Sequence, residues 1–166
     1  QKKRDRNTAI LWSRQVLNSP DEYVILDTET TGLGSSDEIV QIAIINTTNQ
    51  VLLDTLVQVQ MSIPRAASDI HGITKKHLKD APFIEDILDQ IRSILERKTV
   101  IAYNAAFDGR MLQQSIGKIK GKKRTFHGRF NCAMETYSMF VGEWNHQKRS
   151  YRWHKLKSGD HSALGD

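Results

Sequence analysis

The chain has 166 residues, 26% of them charged, and a formal net charge of +5 at pH 7, which is the size of one domain with its own core. No stretch approaches the ~18 consecutive apolar residues that cross a membrane, and the single cysteine, Cys132, excludes an internal disulfide and a cysteine-based zinc cluster. We expect a soluble, cytoplasmic protein without a membrane partner, whose positive charge weakly favours a polyanionic one.

The N-terminal part of the chain predicts a helix followed by three strands. Residues 1–18 begin with cations and then carry Ile10, Leu11, Val16 and Leu17 at helical spacing. We therefore expect residues 1–20 to form a helical extension and residues 21–166 the main domain.

An apolar run without alternation, residues 23–26, predicts a strand buried on both faces. Residues 38–47 and 51–59 predict a hairpin, so the sheet should begin with three antiparallel strands. A turn at residues 70–74 should then lead into a short helix capped by Thr74.

The second half of the chain alternates between helical and strand patterns. An amphipathic helix at 82–97, a buried strand at 99–103 and a helix at 104–116 indicate parallel pairing in this half. A last strand at 130–132 and a helix at 133–144 complete an α/β layer.

Two segments are strongly basic. Residues 117–129 hold six Lys or Arg and no acid, which is typical either of a solvated loop or of an arm that contacts phosphates. Residues 146–157 interleave cations with Tyr151 and Trp153, which suits single-stranded nucleic acid, although Trp153 is equally compatible with a core anchor.

Four acids follow apolar or glycine-containing segments: Asp27, Glu29, Asp108 and Asp166. Asp27 and Glu29 are two apart on a strand and so share a face. Each acid alone is more often a solvated turn or a helix cap, but together they could hold two divalent metals about 4 Å apart.

Three motifs in order, YVILDTETTG at 23–32, NAAFD at 104–108 and HSALGD at 161–166, resemble the DEDDh 3′-to-5′ exonucleases, which include the proofreading subunit of the bacterial replicative polymerase. The resemblance implies a ribonuclease H-like α/β fold with a mixed five-stranded sheet flanked by helices. Members of that family continue past the last acid into a helix, so we expect this C-terminal helix to be truncated or not included.

The resemblance also implies the catalytic roles. Asp27 would bridge two divalent cations, Mg²⁺ or Mn²⁺, while Glu29 and Asp166 would hold the cation that binds the attacking water. Asp108 would help to hold the second cation. His161 would be the general base, which suits a group that titrates near neutrality.

The resemblance also implies which residues contact the substrate. Leu33 and the turn at 71–73 match positions that line the pocket for the 3′-terminal nucleotide, although both also make sense as loop packing. The expected substrate-binding residues are Thr28, Leu33, His71, Ile73, Asn104 and Phe107, and the expected phosphate contacts are Lys122, Lys123 and Arg124.

The leading hypothesis is therefore a metal-dependent 3′-to-5′ exonuclease that acts on single-stranded DNA and releases nucleoside 5′-monophosphates, with a polymerase or another nucleic-acid-processing complex as an expected partner. One alternative is an exoribonuclease on short RNA, because no residue can be identified that senses a 2′-hydroxyl. Another is a non-catalytic module that binds nucleic-acid ends, although such a module has no need of acids that repel phosphate.

Overall fold

In a computed structural model that describes residues 1–119, 128–156 and 163–164, five strands form one mixed sheet in the order β3-β2-β1-β4-β5. The strands are β1 (Tyr23–Thr30), β2 (Ile39–Asn46), β3 (Val51–Leu56), β4 (Thr99–Ala102) and β5 (Arg129–Cys132). The first three are antiparallel, and β4 is parallel to both β1 and β5. This confirms the predicted mixed α/β sheet.

The described residues also form five α-helices that accompany the sheet. They are α1 (Lys2–Asn18), α2 (Arg65–His71), α3 (Ile84–Leu95), α4 (Ala105–Gly117) and α5 (Ala133–Val141). A separate two-stranded hairpin pairs β6 (Trp144–Asn145) with β7 (Ser150–Tyr151). Within the described ranges, no helix is long and apolar enough to cross a membrane.

The β2–β3 turn is fixed by one side chain. The Asn46 Oδ1 atom accepts hydrogen bonds from the backbone N–H groups of Thr48, at 3.1 Å, and Gln50, at 2.8 Å. Asn49 takes the left-handed conformation, with φ of 66°, which asparagine tolerates better than most residues. The polar stretch therefore forms a tight turn between two apolar strands.

Helices cover the two faces of the sheet differently. On one face, Val24 and Leu26 of β1 pack with Leu88 of α3 and Leu112 of α4 in the main apolar core. On the other face, Tyr23 and Ile101 pack with Val16 and Trp12 of α1 and with Ala133 of α5. Both layers exclude water from the centre of the sheet.

The prediction that residues 23–26 are buried on both faces was wrong at one position. The side chain of Ile25 is 37% exposed, although Tyr23 and Ile101 on the same face are buried. A continuous apolar run indicates that a residue can be covered, but the placement of α1 and α5 decides which residues are.

Two helix predictions also need correction. The helix near His71 precedes the turn, because Pro64 starts it and Gly72, with φ of 71°, ends it. The helix predicted to reach Trp144 ends at Val141, because Gly142 adopts φ of 79° and donates its N–H to the Ser138 carbonyl. Trp144 instead begins the small hairpin.

Leu88→Ala should destabilise the fold by about 2–5 kcal/mol, because Leu88 is fully buried in the main core and its removal leaves a cavity. Leu11→Ala is the matched control, since Leu11 is 63% exposed, and should change stability by less than about 0.5 kcal/mol. Urea denaturation of both variants measures the difference. Equal losses would contradict this assignment of the core.

Candidate active site

The carboxyl end of β1 extends beyond its neighbour β4. The β1–β4 ladder runs only from the Tyr23–Thr99 pair to the Ile25–Ile101 pair, whereas β2 stays paired with β1 as far as Thr30. Past Ile25, therefore, β1 has a neighbouring strand on one side and the N-terminus of α4 near its other side. Such crevices at the carboxyl ends of strands are where ligands bind in open α/β sheets.

Asp27 and Glu29 lie in this extension, on the face of β1 that also carries Ile25. Both are half-buried, and their register partners on β2 are Ala43 and Gln41. The alternation of the strand places the two carboxylates together, as the sequence predicted. Between them, Thr28 faces the other side of the sheet and is buried.

Asp108 reaches the same strand end from the first turn of α4. It is 3% exposed, and its Oδ1 atom accepts a hydrogen bond of 2.8 Å from the Thr28 hydroxyl. Burial raises the pKa of Asp108 to about 6, against smaller opposing effects of the Thr28 hydroxyl and of the backbone N–H groups of Asp108 and Thr28. Thr28 thus joins the third acid to the strand that carries the first two.

Asn104 and Phe107 flank this acid. The Asn104 carbonyl accepts the N–H groups of Phe107, at 2.8 Å, and Asp108, at 3.2 Å, which starts the helix. Phe107 packs against the main core, and the Arg110 guanidinium lies 5.3 Å from the centre of its ring. The conformation of the NAAFD motif is therefore fixed by backbone hydrogen bonds as well as by packing.

Leu33 lies on an exposed loop between β1 and β2 and is 78% exposed. The Asp37 carboxylate closes the loop by accepting hydrogen bonds of 2.7 Å from the Thr31 hydroxyl and from the Gly34 N–H. A Cβ atom at Gly32 would lie 2.7 Å from the Asp37 carboxylate. Glycine is required there because the carboxylate approaches the backbone so closely.

Side chains of α4 fasten this loop, which sequence reasoning missed. Arg110 donates to the Leu33 and Gly34 carbonyls at 3.2 and 3.3 Å, and Gln114 donates to Gly34 at 3.1 Å. Lys118 donates to the Ser36 carbonyl and lies 3.6 Å from Glu38. The three polar residues are spaced four apart on one helix face, and this spacing was the only signal in the sequence.

His71 and Ile73 occupy different environments. The Nδ1 atom of His71 accepts the Ile73 N–H at 3.0 Å, so Nε2 carries the proton and donates to the Thr30 carbonyl at 3.2 Å. Burial lowers the pKa of His71 below its usual range, although the Thr30 carbonyl opposes this. Ile73 is buried in a cluster with Val40 and Leu78. His71 therefore lies at the end of β1, whereas Ile73 contributes to packing.

The third motif is described only at Ala163 and Leu164. Ala163 is buried, and its N–H donates to the Gln41 side chain, the register partner of Glu29, at 3.3 Å. This part of the motif thus lies beside the strand pair that carries Glu29. The predicted residues that lie outside the described ranges are His161, Asp166, Lys122, Lys123 and Arg124.

The described acids are compatible with metal binding but do not form a complete site. Asp27, Glu29 and Asp108 offer only carboxylate oxygens, which are the ligands of hard divalent cations. A bound cation would also favour the ionised form of the buried Asp108. Within residues 1–119, 128–156 and 163–164, no three His, Cys, Asp or Glu side chains are grouped closely enough to hold a metal.

Asp108→Asn should stabilise the metal-free protein at neutral pH. The folded pKa of about 6 exceeds the ordinary value of 3.8, so the native state binds more protons between these values and its stability falls as pH rises through that window. The full penalty, about 3 kcal/mol, applies above pH 6.

Urea denaturation in chelator measures this effect. The variant should match the parent near pH 4 and exceed its stability at pH 7, since asparagine keeps the acceptor for Thr28. Asp80→Asn, at an exposed position, is the control and should not change the pH dependence. A stability difference between Asp108→Asn and the parent that does not grow between pH 4 and pH 7 would contradict an energetic cost of burying the Asp108 charge.

Comparisons with known proteins identify exonucleases as relatives of this chain. The RNase_T family model, described as exonuclease, matches residues 24–166. An uncharacterized exonuclease, CP81, of Escherichia phage 186 is 37% identical over 141 residues, which are 82% of this chain and 72% of the phage protein. The DNA polymerase III subunit epsilon of Rickettsia prowazekii is 34% identical over 103 residues, 58% of this chain and 45% of that protein.

Solved structures share the fold. Exonuclease X in complex with 5′ overhanging duplex DNA has a TM-score of 0.53 at 29% identity, covering 68% of this chain and 60% of that one. The zinc-bound E. coli exonuclease I complex with single-stranded DNA has a TM-score of 0.58 at 15% identity, covering 78% and 33%, and supports the fold alone. The chain spans less than half of the length of the epsilon and exonuclease I proteins. These neighbours confirm the ribonuclease H-like fold, and the family match over most of the chain shows that it belongs to the exonuclease family.

Proposed function

We propose that this exonuclease is a metal-dependent 3′-to-5′ enzyme that acts on single-stranded DNA and releases nucleoside 5′-monophosphates. The observation that carries the proposal is the placement of three acids at one end of β1, with Asp27 and Glu29 on one face of the strand and Asp108 hydrogen-bonded to Thr28, which faces the other side. Carboxylates repel a phosphodiester anion, so acids at this position favour catalysis with cations over simple nucleic-acid binding.

The proposed ligand roles follow the family resemblance. Asp27 would help to hold both of two divalent cations, Mg²⁺ or Mn²⁺, Glu29 and Asp166 would hold one of them, and Asp108 would help to hold the other. When bound, such cations neutralise charge on the phosphate and make water more acidic. The hydrogen bond from Thr28 keeps the Asp108 carboxylate pointed at the end of β1.

The chain's own groups then supply the proton transfer and the positioning. We assign to His161 the removal of a proton from the attacking water, since a neutral imidazole can act as a base near pH 7. Leu33 would contact the terminal base, a role supported by its exposure on a loop that hydrogen bonds from α4 hold. Neutral His71 lies at the same end of β1, where its Nε2 atom donates a hydrogen bond to the Thr30 carbonyl.

The substrate assignment draws on the relatives. The solved exonuclease X structure contains DNA, and the epsilon relative is a DNA polymerase III subunit. These relatives support DNA as the substrate and a polymerase complex as a partner of this chain. The basic segments add phosphate contacts, including those proposed for Lys122, Lys123 and Arg124.

Digestion of 5′-labelled single-stranded DNA and RNA of matched sequence tests the proposal. With Mg²⁺ or Mn²⁺ the DNA should shorten stepwise from its 3′ end, and chelator should stop the reaction. Label retained on progressively shorter products establishes the direction, because a 5′-to-3′ enzyme would release it at once. Faster shortening of RNA would favour the exoribonuclease, and no metal-dependent shortening of either strand would remove both enzymes.

Asp27→Asn should lower turnover by more than the roughly 10–100-fold that loss of an outer-shell partner of a metal costs, because it removes a proposed bridging carboxylate. The fold should remain, as judged by circular dichroism and thermal melting. Asp54→Asn, at an exposed position on β3, is the matched control and should keep full activity. A variant with normal turnover would exclude Asp27 as a ligand.

His161→Gln should lower kcat by about two to four orders of magnitude, the usual worth of a positioned general base. The apparent affinity for Mg²⁺ should change far less than in Asp27→Asn. Parent activity should rise with pH as the imidazole loses its proton, because only the neutral ring can accept a proton from water. Mg²⁺ titrations of turnover compare both variants with His77→Gln, at an exposed position. A metal affinity that falls as steeply as in Asp27→Asn would make His161 a ligand instead.

A further inference from the structure

The small hairpin after α5 is joined to the body of the protein by side-chain and backbone contacts. We call residues 143–155, which contain β6 and β7, the basic hairpin. The Trp144 and Tyr151 rings meet edge to face with their centres 5.0 Å apart, and the Tyr151 hydroxyl donates to Asp5 of α1 at 2.7 Å. The Arg152 N–H also donates to the Glu143 carbonyl at 2.8 Å. The position of the hairpin is therefore set by both strands and by α1.

Its outer surface is cationic and aromatic. Four cations of the hairpin are exposed, and none of them takes part in an ion pair with another described residue: Lys148, Arg149, Arg152 and Lys155. The one acid, Glu143, lies 3.6 Å from His154. Trp153 is 70% exposed, so it is not the core anchor that the sequence left open.

The hairpin ends at the same edge of the sheet as the acids. The Tyr103 hydroxyl donates to the His154 carbonyl at 2.9 Å, and Tyr103 directly follows β4 and precedes the NAAFD motif. Because Ile101 pairs with Ile25, Tyr103 stands two residues beyond this pair on its strand, as Asp27 does on β1. The segment that carries Trp153 thus passes the carboxyl end of β4, beside the candidate active site.

We propose that the basic hairpin binds the single strand on the 5′ side of the nucleotide being removed, with Trp153 stacked on an unpaired base and Lys148, Arg149 and Arg152 against phosphates. The inference rests on the proposed function and extends it to a second contact on the substrate. Aromatic rings hold bases of any sequence by stacking, and cations follow the backbone. A single strand suits the surface better than a duplex, because stacking on an exposed ring requires a base whose face is free.

Comparing two substrates separates this contact from the chemistry. One is a single-stranded DNA of roughly 15 nucleotides, long enough to reach a second site. The other is the p-nitrophenyl ester of thymidine 5′-monophosphate, which presents one nucleotide and cannot reach the hairpin. Trp153→Ala should raise KM for the oligonucleotide by roughly tenfold and leave kcat and both constants for the ester unchanged. Trp153→Phe should restore most of the loss.

The cations are tested by salt dependence. Replacing Lys148 and Arg149 together with Ala should flatten the plot of log KM for the oligonucleotide against log salt by about 1.4, since each single-strand phosphate contact contributes roughly 0.7. Leu11→Ala and Arg92→Ala are the controls, because they remove an exposed apolar and a partly exposed cationic side chain from other helices. Both controls should behave as the parent.

The outcomes distinguish a failure of the hairpin inference from a failure of the proposed function. Hairpin variants that match the parent on the oligonucleotide, or that lose activity on both substrates alike, would overturn the inference. A parent that degrades neither substrate would overturn the proposed function instead. Binding is then read in chelator from quenching of tryptophan fluorescence by the oligonucleotide: quenching that is smaller in Trp153→Phe than in the parent supports the stacking contact, and quenching as large as the parent's removes it.

Discussion

The hydrogen bond between Thr28 and Asp108 joins the two halves of the candidate site. It connects β1, which carries Asp27 and Glu29, with the first turn of α4, 80 residues further along the chain. A buried carboxylate is costly unless its oxygens are hydrogen-bonded, and here a buried hydroxyl supplies one such bond. The carboxylate also lies near the N-terminus of α4, where the helix dipole favours negative charge. The part of the desolvation cost that these interactions do not offset raises the pKa of Asp108.

Different faces of helix α4 contact the apolar core, strand β2 and the loop that carries Leu33. Met111 and Leu112 are buried in the core, which anchors the helix against the sheet. Ser115 accepts the N–H of Ile39 at the start of β2, at 3.2 Å. The polar face with Arg110 and Gln114 holds the loop that presents Leu33. A displacement of this one helix would move the buried acid and the exposed leucine together.

The local patterns of the sequence were sufficient for the sheet and for the placement of two acids on one face of β1. Alternation and apolar runs gave the five strands, and period two along β1 placed Asp27 beside Glu29. Local patterns could not give contacts between distant segments. The loop that carries Leu33 is held by residues 76 to 82 positions away, and the exposure of Ile25 and Trp153 depends on where helices and the hairpin pack.

Opposite charges are separated along the carboxyl edge of the sheet. The acids lie at the ends of β1 and α4, half-buried or buried, whereas the cations of the basic hairpin lie on its outer surface, exposed to water. Buried charges interact strongly because the local dielectric is low, and exposed ones are screened within about 10 Å at ordinary salt. The exposed cations therefore act on groups that approach the surface, whereas the acids act on groups that enter the crevice. This separation lets one basic chain carry buried acids and a cationic outer surface at the same edge of the sheet.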